Sequence, residues 1–193
     1  MTAGESKENT VPTLKDGAIM LRPATDADIA ARIALGVTPE IVRMFGGAPG
    51  GAKTVDQATA TGWVKNLQNQ PFGWVICFEE RVIGNLFFHT YWRSENRCSV
   101  AIGILDPALL GQGIGTKALH LALSFGFETL ALHRVELRVL EYNTRAIASY
   151  KKLGFVEEGR ARQAALVDGT RYDDVIMGLL AGELSGELKG LDP

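Results

Sequence analysis

The sequence has little cysteine, and its two cysteines form no recognisable framework. Cys77 and Cys98 are the only ones among 193 residues, and each stands in an apolar, strand-like stretch. Two thiols without further cysteine or histidine neighbours match neither the ligand spacing of a metal site nor a disulfide scaffold. We therefore predict two buried, reduced thiols and no bound metal.

Long hydrophobic runs and a charge imbalance are also missing. No apolar stretch reaches the about 20 residues of a membrane-spanning helix, and the net charge of −2 offers no basic surface for a nucleic-acid backbone. Residues 1–12 are polar and mixed in charge, without the apolar centre of a signal peptide. These absences argue against a membrane or nucleic-acid partner, and we expect a cytoplasmic protein.

What is present is the composition of a globular protein. Apolar residues make up 46% and charged residues 22% of the chain, and the length suits one domain with its own core. We expect a single domain over residues 13–181, with disordered tails at 1–12 and 182–193.

The hydrophobic pattern predicts seven strands and four helices in an α/β (α+β) domain. The strands are expected at residues 19–22, 74–78, 82–91, 97–105, 133–140, 155–166 and 172–180, and the helices at 25–35, 55–67, 115–130 and 144–153. The three strands over residues 74–105 are separated by short turns and form an antiparallel meander. Glycines at 46–51 indicate a flexible connection, or alternatively a mobile lid over a substrate.

A glycine-rich turn, Leu110-Gly111-Gln112-Gly113-Ile114-Gly115-Thr116, joins a predicted strand to a predicted helix. Backbone N–H groups are unpaired at the start of a helix, and glycine allows an anion to approach them, so the turn predicts a pyrophosphate site. Residues 113–118 also fit the dinucleotide pattern G-x-G-x-x-A. That fold, however, places its turn after the first strand of a parallel unit, whereas a meander precedes this one. A tight turn without a ligand stays open.

A second motif spans residues 143–155. Asn143 is a suitable N-cap and Gly154 a suitable residue to end the helix, while Tyr150 lies on its apolar face. Local structure alone would make Asn143 a cap and Tyr150 a core aromatic. It does not explain why both follow a pyrophosphate turn at this distance.

Together, residues 111–115, 133–139 and 143–155 resemble the GCN5-related N-acetyltransferases (GNAT superfamily). Within that superfamily they are most similar to the branch of ribosomal-protein N-terminal and spermidine acetyltransferases. The resemblance extends over residues 19–180, although its specific motifs lie within 103–155. It implies the GNAT fold, a mixed, mostly antiparallel seven-stranded sheet with about four helices and a splayed central strand pair. It also implies transfer of acetyl from acetyl-CoA to a primary amine, of a protein N-terminus or a small molecule.

The resemblance implies roles for individual residues. Tyr150 would protonate the departing thiolate, Asn143 would bond the pantetheine arm, and the N–H near Ile104 would polarise the thioester carbonyl. Arg145 and Lys152 would meet the 3′-phosphate of CoA, or would be solvated surface cations. The full set of implied cofactor-binding residues is Ile104, Leu105, Leu110, Gly111, Gln112, Gly113, Ile114, Gly115, Thr116, Asn143, Arg145, Ala146, Tyr150 and Lys152.

Two positions depart from the family pattern. Leu110 stands where an Arg or Gln usually opens the turn, and Ala101 stands where many members carry a glutamate that serves as base. The base is therefore sought elsewhere, in Glu136 or His89. Glu136 has the alternative of a structural ion pair with Arg134 or Arg138, and His89 that of a half-exposed hairpin histidine.

Other functions remain open on the sequence alone. The missing glutamate permits a non-catalytic acyl-CoA-binding module, and the glycine pattern permits a nicotinamide-dependent oxidoreductase. The acids that precede the meander, Asp26, Asp28, Glu40 and Asp56, are scattered and do not single out a polyamine acceptor. The resemblance also implies a homodimer, in which residues 172–180 would pair across the interface.

Overall fold

The computed structural model describes residues 11–48 and 54–186, which form one mixed sheet with helices on both faces. Its eight strands are β1 (Leu14–Asp16), β2 (Ile19–Pro23), β3 (Phe72–Phe78), β4 (Arg81–Trp92), β5 (Arg97–Ile104), β6 (Arg134–Leu140), β7 (Val156–Val167) and β8 (Thr170–Leu180). They lie in the order β1-β2-β3-β4-β5-β6-β8-β7. Only β5 and β6 are parallel, so the predicted mixed, mostly antiparallel sheet is confirmed.

The sheet has one strand more than predicted, β1, which pairs with β2. Its three residues, Leu-Lys-Asp, contain one apolar side chain and give no alternation to detect.

The helices number five in the described residues, where four were predicted. They are α1 (Asp28–Leu35), α2 (Pro39–Met44), α3 (Gln57–Gln68), α4 (Ile114–Glu128) and α5 (Thr144–Leu153). The additional helix α2 has six residues, too few for a helical period. The sequence does carry a signal for the start of this helix. Thr38 caps it by accepting a hydrogen bond from Ile41 N (3.3 Å), and Pro39 is its first residue.

Alternation along the strands divides the core into two layers. Trp74 and Ile76 of β3 face α4, where Leu119 and Leu123 are fully buried. Val75 and Cys77, which alternate with them along β3, face α1 and α3 in a smaller hydrophobic cluster. Helices α4 and α5 therefore cover one face of the sheet, and α1 and α3 cover the other.

The central parallel pair separates along its length, as predicted. Strands β5 and β6 pair only through Arg97 with Arg134, Cys98 with Val135, and Ser99 with Glu136. Beyond Ser99, β5 continues to Ile104 beside β4, while β6 continues to Leu140 beside β8. The result is a V-shaped gap in the sheet whose vertex is the Ser99–Glu136 pair.

Residues just outside the expected bounds of the domain form hydrogen bonds with residues inside them. Trp74 Nε1 donates to Pro12 O (2.8 Å), and Ser185 N donates to Leu153 O (3.1 Å), so residues on both sides of 13–181 are held against it. Residues 1–10 and 187–193 lie outside the described ranges. So does much of the glycine segment 46–51, because residues 49–53 are not described.

Three other expectations concern the surface and the thiols. Cys77 and Cys98 are both free and buried, as predicted. Strand β8 lies between β6 and β7 and has no free edge, so the prediction that residues 172–180 pair across a dimer was wrong; the edge strands are β7 on that side of the sheet and β1 on the other. Across residues 11–48 and 54–186, no helix is both long and apolar enough to cross a membrane.

Candidate active site

A cavity of about 1210 Å³ occupies the gap between β5 and β6. From the α4 side of the sheet it is lined by the glycine turn, the start of α4 and the inner side of α5. The separated strands line it with consecutive residues, 99–104 of β5 and 136–140 of β6, and the opposite side is lined by residues of β4, β7 and β8 and by the end of α2. The two faces of the sheet therefore communicate through one opening.

The glycine turn enters helix α4 with its first N–H groups unpaired. Gly111 has φ +80° and Gly113 has φ +77°, a left-handed conformation that favours glycine. Gly113 is the N-cap residue of α4, and no side chain within residues 11–48 and 54–186 caps that helix. Free N–H groups and the positive end of a 15-residue helix point together into the cavity, which is the arrangement that binds phosphate groups.

The edge of β5 offers a second set of backbone groups to the cavity. Leu105 N donates to Ile83 O of β4 (2.8 Å). Because successive N–H groups of a strand point to opposite sides, the Ile104 N–H points away from β4, into the gap. The Ile104 N–H, which was predicted to polarise the thioester carbonyl, therefore points to where it can donate a hydrogen bond to a ligand in the gap. The Leu105 N–H already donates to Ile83 O.

Helix α5 places Asn143 and Tyr150 in the cavity wall. Asn143 Oδ1 accepts from Ala146 N (3.2 Å), which confirms it as the N-cap, and Gly154 ends the helix with φ +102°. Within the described ranges the Tyr150 hydroxyl has no hydrogen-bond partner, and burial raises the pKa of this phenol to about 12. Its proton is therefore retained at neutral pH. Thr116 and Ser149 hydroxyls, 2.6 Å apart, join α4 to α5 beside it.

Three polar side chains stand in register across β4, β5 and β6. His89 pairs with Ser99, and Ser99 pairs with Glu136 at the vertex. His89 is half-buried, and its Nδ1 lies 2.9 Å from the Thr90 hydroxyl. Burial lowers the pKa of His89, against the opposing effect of the Glu136 charge, so the imidazole is neutral at pH 7.

Glu136 has a structural role, because both of its carboxylate oxygens already accept hydrogen bonds from neighbouring side chains. It accepts from Ser99 Oγ (3.4 Å) and Arg134 Nη2 (3.4 Å), and Arg97 Nη1 is 3.9 Å away. Arg134 is therefore its ion-pair partner, whereas Arg138, the other partner considered, makes no ion pair with it.

The structure brings most of the predicted site residues together. Those that line the cavity are His89, Ile104, Leu110, Gly111, Gly113, Ile114, Gly115, Thr116, Glu136, Asn143, Arg145, Tyr150 and Lys152. Ala101 lines it too, and supplies only a methyl group where a glutamate is usual.

Three predicted residues are absent from the cavity wall. Leu105 is buried behind β5, Gln112 turns back to donate to Ala108 O (2.8 Å), and Ala146 packs against the core through α5. Arg145 does reach the wall, but it pairs with Glu40 of α2 (3.3 Å).

Several cavity residues were not predicted. Phe45, at the end of α2, covers Gly103 of β5, where a Cβ would lie only 2.3 Å from the Phe45 ring. Arg138, Asp174 and Ile176 line the side opposite α4. Strand alternation gives a signal for Arg138, which is two residues from Glu136 and so on the same face. Nothing local signals Phe45. No group of metal-ligating side chains occurs within the described ranges.

Comparison with known proteins agrees with this geometry. Residues 18–156 match the family described as the acetyltransferase (GNAT) domain, and the chain belongs to that family. It is 38% identical to Putative ribosomal N-acetyltransferase YdaF of Bacillus subtilis over 112 residues, 58% of this chain and 61% of YdaF. It is 33% identical to spermidine N(1)-acetyltransferase of Escherichia coli K12 over 86 residues, 45% of this chain and 46% of the relative. These matches span less than two thirds of either relative.

A solved structure shares the fold. Spermidine N-acetyltransferase from Vibrio cholerae, in complex with CoA and spermine, superposes with a TM-score of 0.73 at 20% identity, covering 87% of this chain and 98% of that one. The resemblance drawn from residues 103–155 is thereby confirmed, together with the GNAT architecture.

Proposed function

We propose that this protein transfers an acetyl group from acetyl-CoA to a primary amine by direct attack of the amine on the thioester. The observation that carries the proposal is the single cavity through the splayed sheet. On one face it presents an anion-binding helix start and a phenol, and on the other a neutral imidazole. The pairing of a cofactor side with an acceptor side is what a two-substrate transfer requires.

The cofactor side has a place for each part of acetyl-CoA. The N–H groups of residues 113–116 receive the pyrophosphate, and the unpaired edge of β5 receives the pantetheine arm beside Asn143. The N–H of Ile104 donates to the thioester oxygen and stabilises the negative charge that develops there. Lys152 is the cation left for the 3′-phosphate, since Arg145 is engaged by Glu40.

The reaction then needs three proton transfers. The acceptor enters as an ammonium ion and loses one proton to His89 through intervening water; the neutral nitrogen then forms a bond to the carbonyl carbon and gives up its second proton to water. The C–S bond breaks, and the CoA thiolate takes the proton of the Tyr150 hydroxyl. Solvent restores the phenol, and His89 releases its proton to solvent. No covalent enzyme intermediate is required.

The proposal is tested by measuring free CoA thiol from acetyl-CoA with a panel of amines, namely peptides with free N-termini, amino acids and polyamines. Thiol release that depends on an amine, with the acetylated product found by mass spectrometry, is expected. Tight binding of acetyl-CoA without turnover on any amine would instead identify an acyl-CoA-binding module.

Substituting Gly113 by Ala should raise KM for acetyl-CoA about tenfold, because an alanine at φ +77° costs roughly 1–2 kcal/mol and shifts the N–H groups that face the pyrophosphate. Steady-state kinetics with varied acetyl-CoA measure the effect. The matched control is Gly62→Ala in α3, where a Cβ meets nothing within 4 Å; it should leave KM unchanged. An unchanged KM in the Gly113 variant would exclude this turn as the phosphate site.

Replacing His89 by Gln should lower kcat/KM for the amine by about 10-fold or more, because the neutral imidazole that accepts the amine proton is lost. In the unchanged protein, kcat/KM should fall as pH drops through the lowered pKa of His89, below 6.5. That acidic limb should disappear from the pH profile of the variant. A Glu136→Gln variant that removes the limb while His89→Gln preserves it would assign the base to Glu136.

A further inference from the structure

Among the residues that the structure describes, strand β6 presents to the acceptor side of the cavity one charge without an ion-pair partner, that of Arg138. Val135, Leu137 and Val139 are buried toward α4, so Glu136 and Arg138 face the opposite side. Glu136 stands at the vertex of the gap, and Arg138 follows two residues later, about 7 Å along the strand. Strand β6 and the β5 edge that is proposed to hold the thioester form the two sides of the gap, so an amine that enters from this side has Arg138 beside its path.

The other charges on this side are compensated or further away. Glu136 is held by Arg134 and Arg97, while Arg134 itself makes a bidentate pair with Glu158 (2.6 and 2.5 Å). Asp174 lies one row further from the vertex, opposite Leu140, and forms no ion pair with Arg138.

Arg138 is exposed, and within residues 11–48 and 54–186 it has no ion pair or hydrogen bond. Its cross-strand neighbours, Ile176 of β8 and then Gly159 of β7, offer no side chain that competes for the guanidinium.

We infer that Arg138 is a specificity-determining residue and that the acceptor is an amine carrying a carboxylate a few bonds from its amino group. The inference rests on the proposed acetyl transfer. A guanidinium binds a carboxylate through two parallel N–H···O bonds, and Arg138 lines the cavity that the amine must enter to reach the β5 edge. A free amino acid and a peptide with an acidic first residue share this chemistry. A polyamine lacks it.

The test uses pairs of acceptors that differ only in the carboxylate. Alanine against alaninamide examines the α-carboxylate, and peptides that begin with Asp against Asn examine the side chain. We expect kcat/KM to be at least about 10-fold higher for the carboxylate member of one pair, which identifies the source, and spermidine to be a poor acceptor. In Arg138→Gln, KM for that member should rise about 10-fold or more, so that the preference disappears, while KM for the neutral member and for acetyl-CoA stays the same.

Two further variants separate recognition from folding. Arg162→Gln removes an exposed charge from β7 outside the cavity and should change none of these constants. Arg138→Lys keeps the charge but not the fork, and should retain part of the preference even if Arg138→Gln lowers the melting temperature. Turnover without any carboxylate preference, a preference for spermidine, or a preference that survives in Arg138→Gln would overturn the inference and leave acetyl transfer intact. The absence of turnover with every amine would overturn both.

Discussion

Replacing Tyr150 by Phe should lower kcat about 100-fold or more while KM for acetyl-CoA changes less than about twofold. The substitution removes only the hydroxyl, and the ring keeps its contact with Phe155, whose centroid is 5.9 Å away. Because burial raises the pKa of Tyr150 to about 12, the phenol holds its proton until a thiolate forms beside it. Without that proton, the thiolate must leave unassisted. Steady-state kinetics with saturating amine give both constants.

Tyr142→Phe is the matched control for this variant. Tyr142 is half-buried and its hydroxyl donates to Arg43 O (2.6 Å), but it does not line the cavity. Loss of this hydroxyl should leave kcat unchanged. If Tyr150→Phe turned over as fast as Tyr142→Phe, the thiolate would have to receive its proton from another group, such as water.

Replacing Asp28 by Ala should lower the free energy of unfolding by about 3 kcal/mol, because it leaves a partly buried guanidinium without its partner. Asp28 is 3% exposed. It accepts two hydrogen bonds from Arg22 (2.6 and 2.9 Å) and one from Thr25 N (2.7 Å), and so joins strand β2 to the start of α1. Urea denaturation followed by circular dichroism measures the loss.

Asp56→Ala provides the comparison for the Asp28 variant, since the exposed Asp56 only caps α3 by accepting from Thr59 N (2.8 Å) and its loss should cost less than the loss of Asp28. Burial raises the pKa of Asp28, but hydrogen bonds from Arg22 and Thr25 outweigh it, and the net pKa is lowered. The stabilisation by Asp28 is therefore complete above its unfolded pKa of about 3.9 and is lost as pH falls through the lower folded value. Equal losses in both variants would mean that the buried pair adds nothing beyond a cap.

The parts of the fold that the sequence predicted are those with local signals. Asn143 and Gly154 mark the ends of α5 by their own capping chemistry, and Gly111 and Gly113 mark a turn by their backbone freedom. Strand β1 and helix α2 were not predicted, because their three and six residues are too few to show a hydrophobic period.

The residues of the site likewise fall into those that a local sequence signal predicts and those that depend on long-range pairing. Tyr150 and Asn143 belong to a motif that is contiguous in the chain, so their common location could be inferred. The partnership of Ser99 with Glu136, 37 residues apart, depends on strand register, and Arg134, which pairs with Glu136, also pairs with Glu158, 24 residues away. Such long-range pairings are settled only when the sheet forms.

The short segment after α2 has a consequence for how the gap is kept open. Phe45 lies on Gly103 of β5, and a Cβ at Gly46 would lie 3.5 Å from Leu140 of β6, so consecutive residues contact the two separated strands. Arg145 of α5 also pairs with Glu40 of α2. No hydrogen bond joins β5 to β6 at this level of the gap. The contacts of residues 45 and 46, and not sheet pairing, hold the two strands apart there. The width of the aperture is thus a tertiary property, adjustable by changes in residues 38–46 that leave every strand untouched.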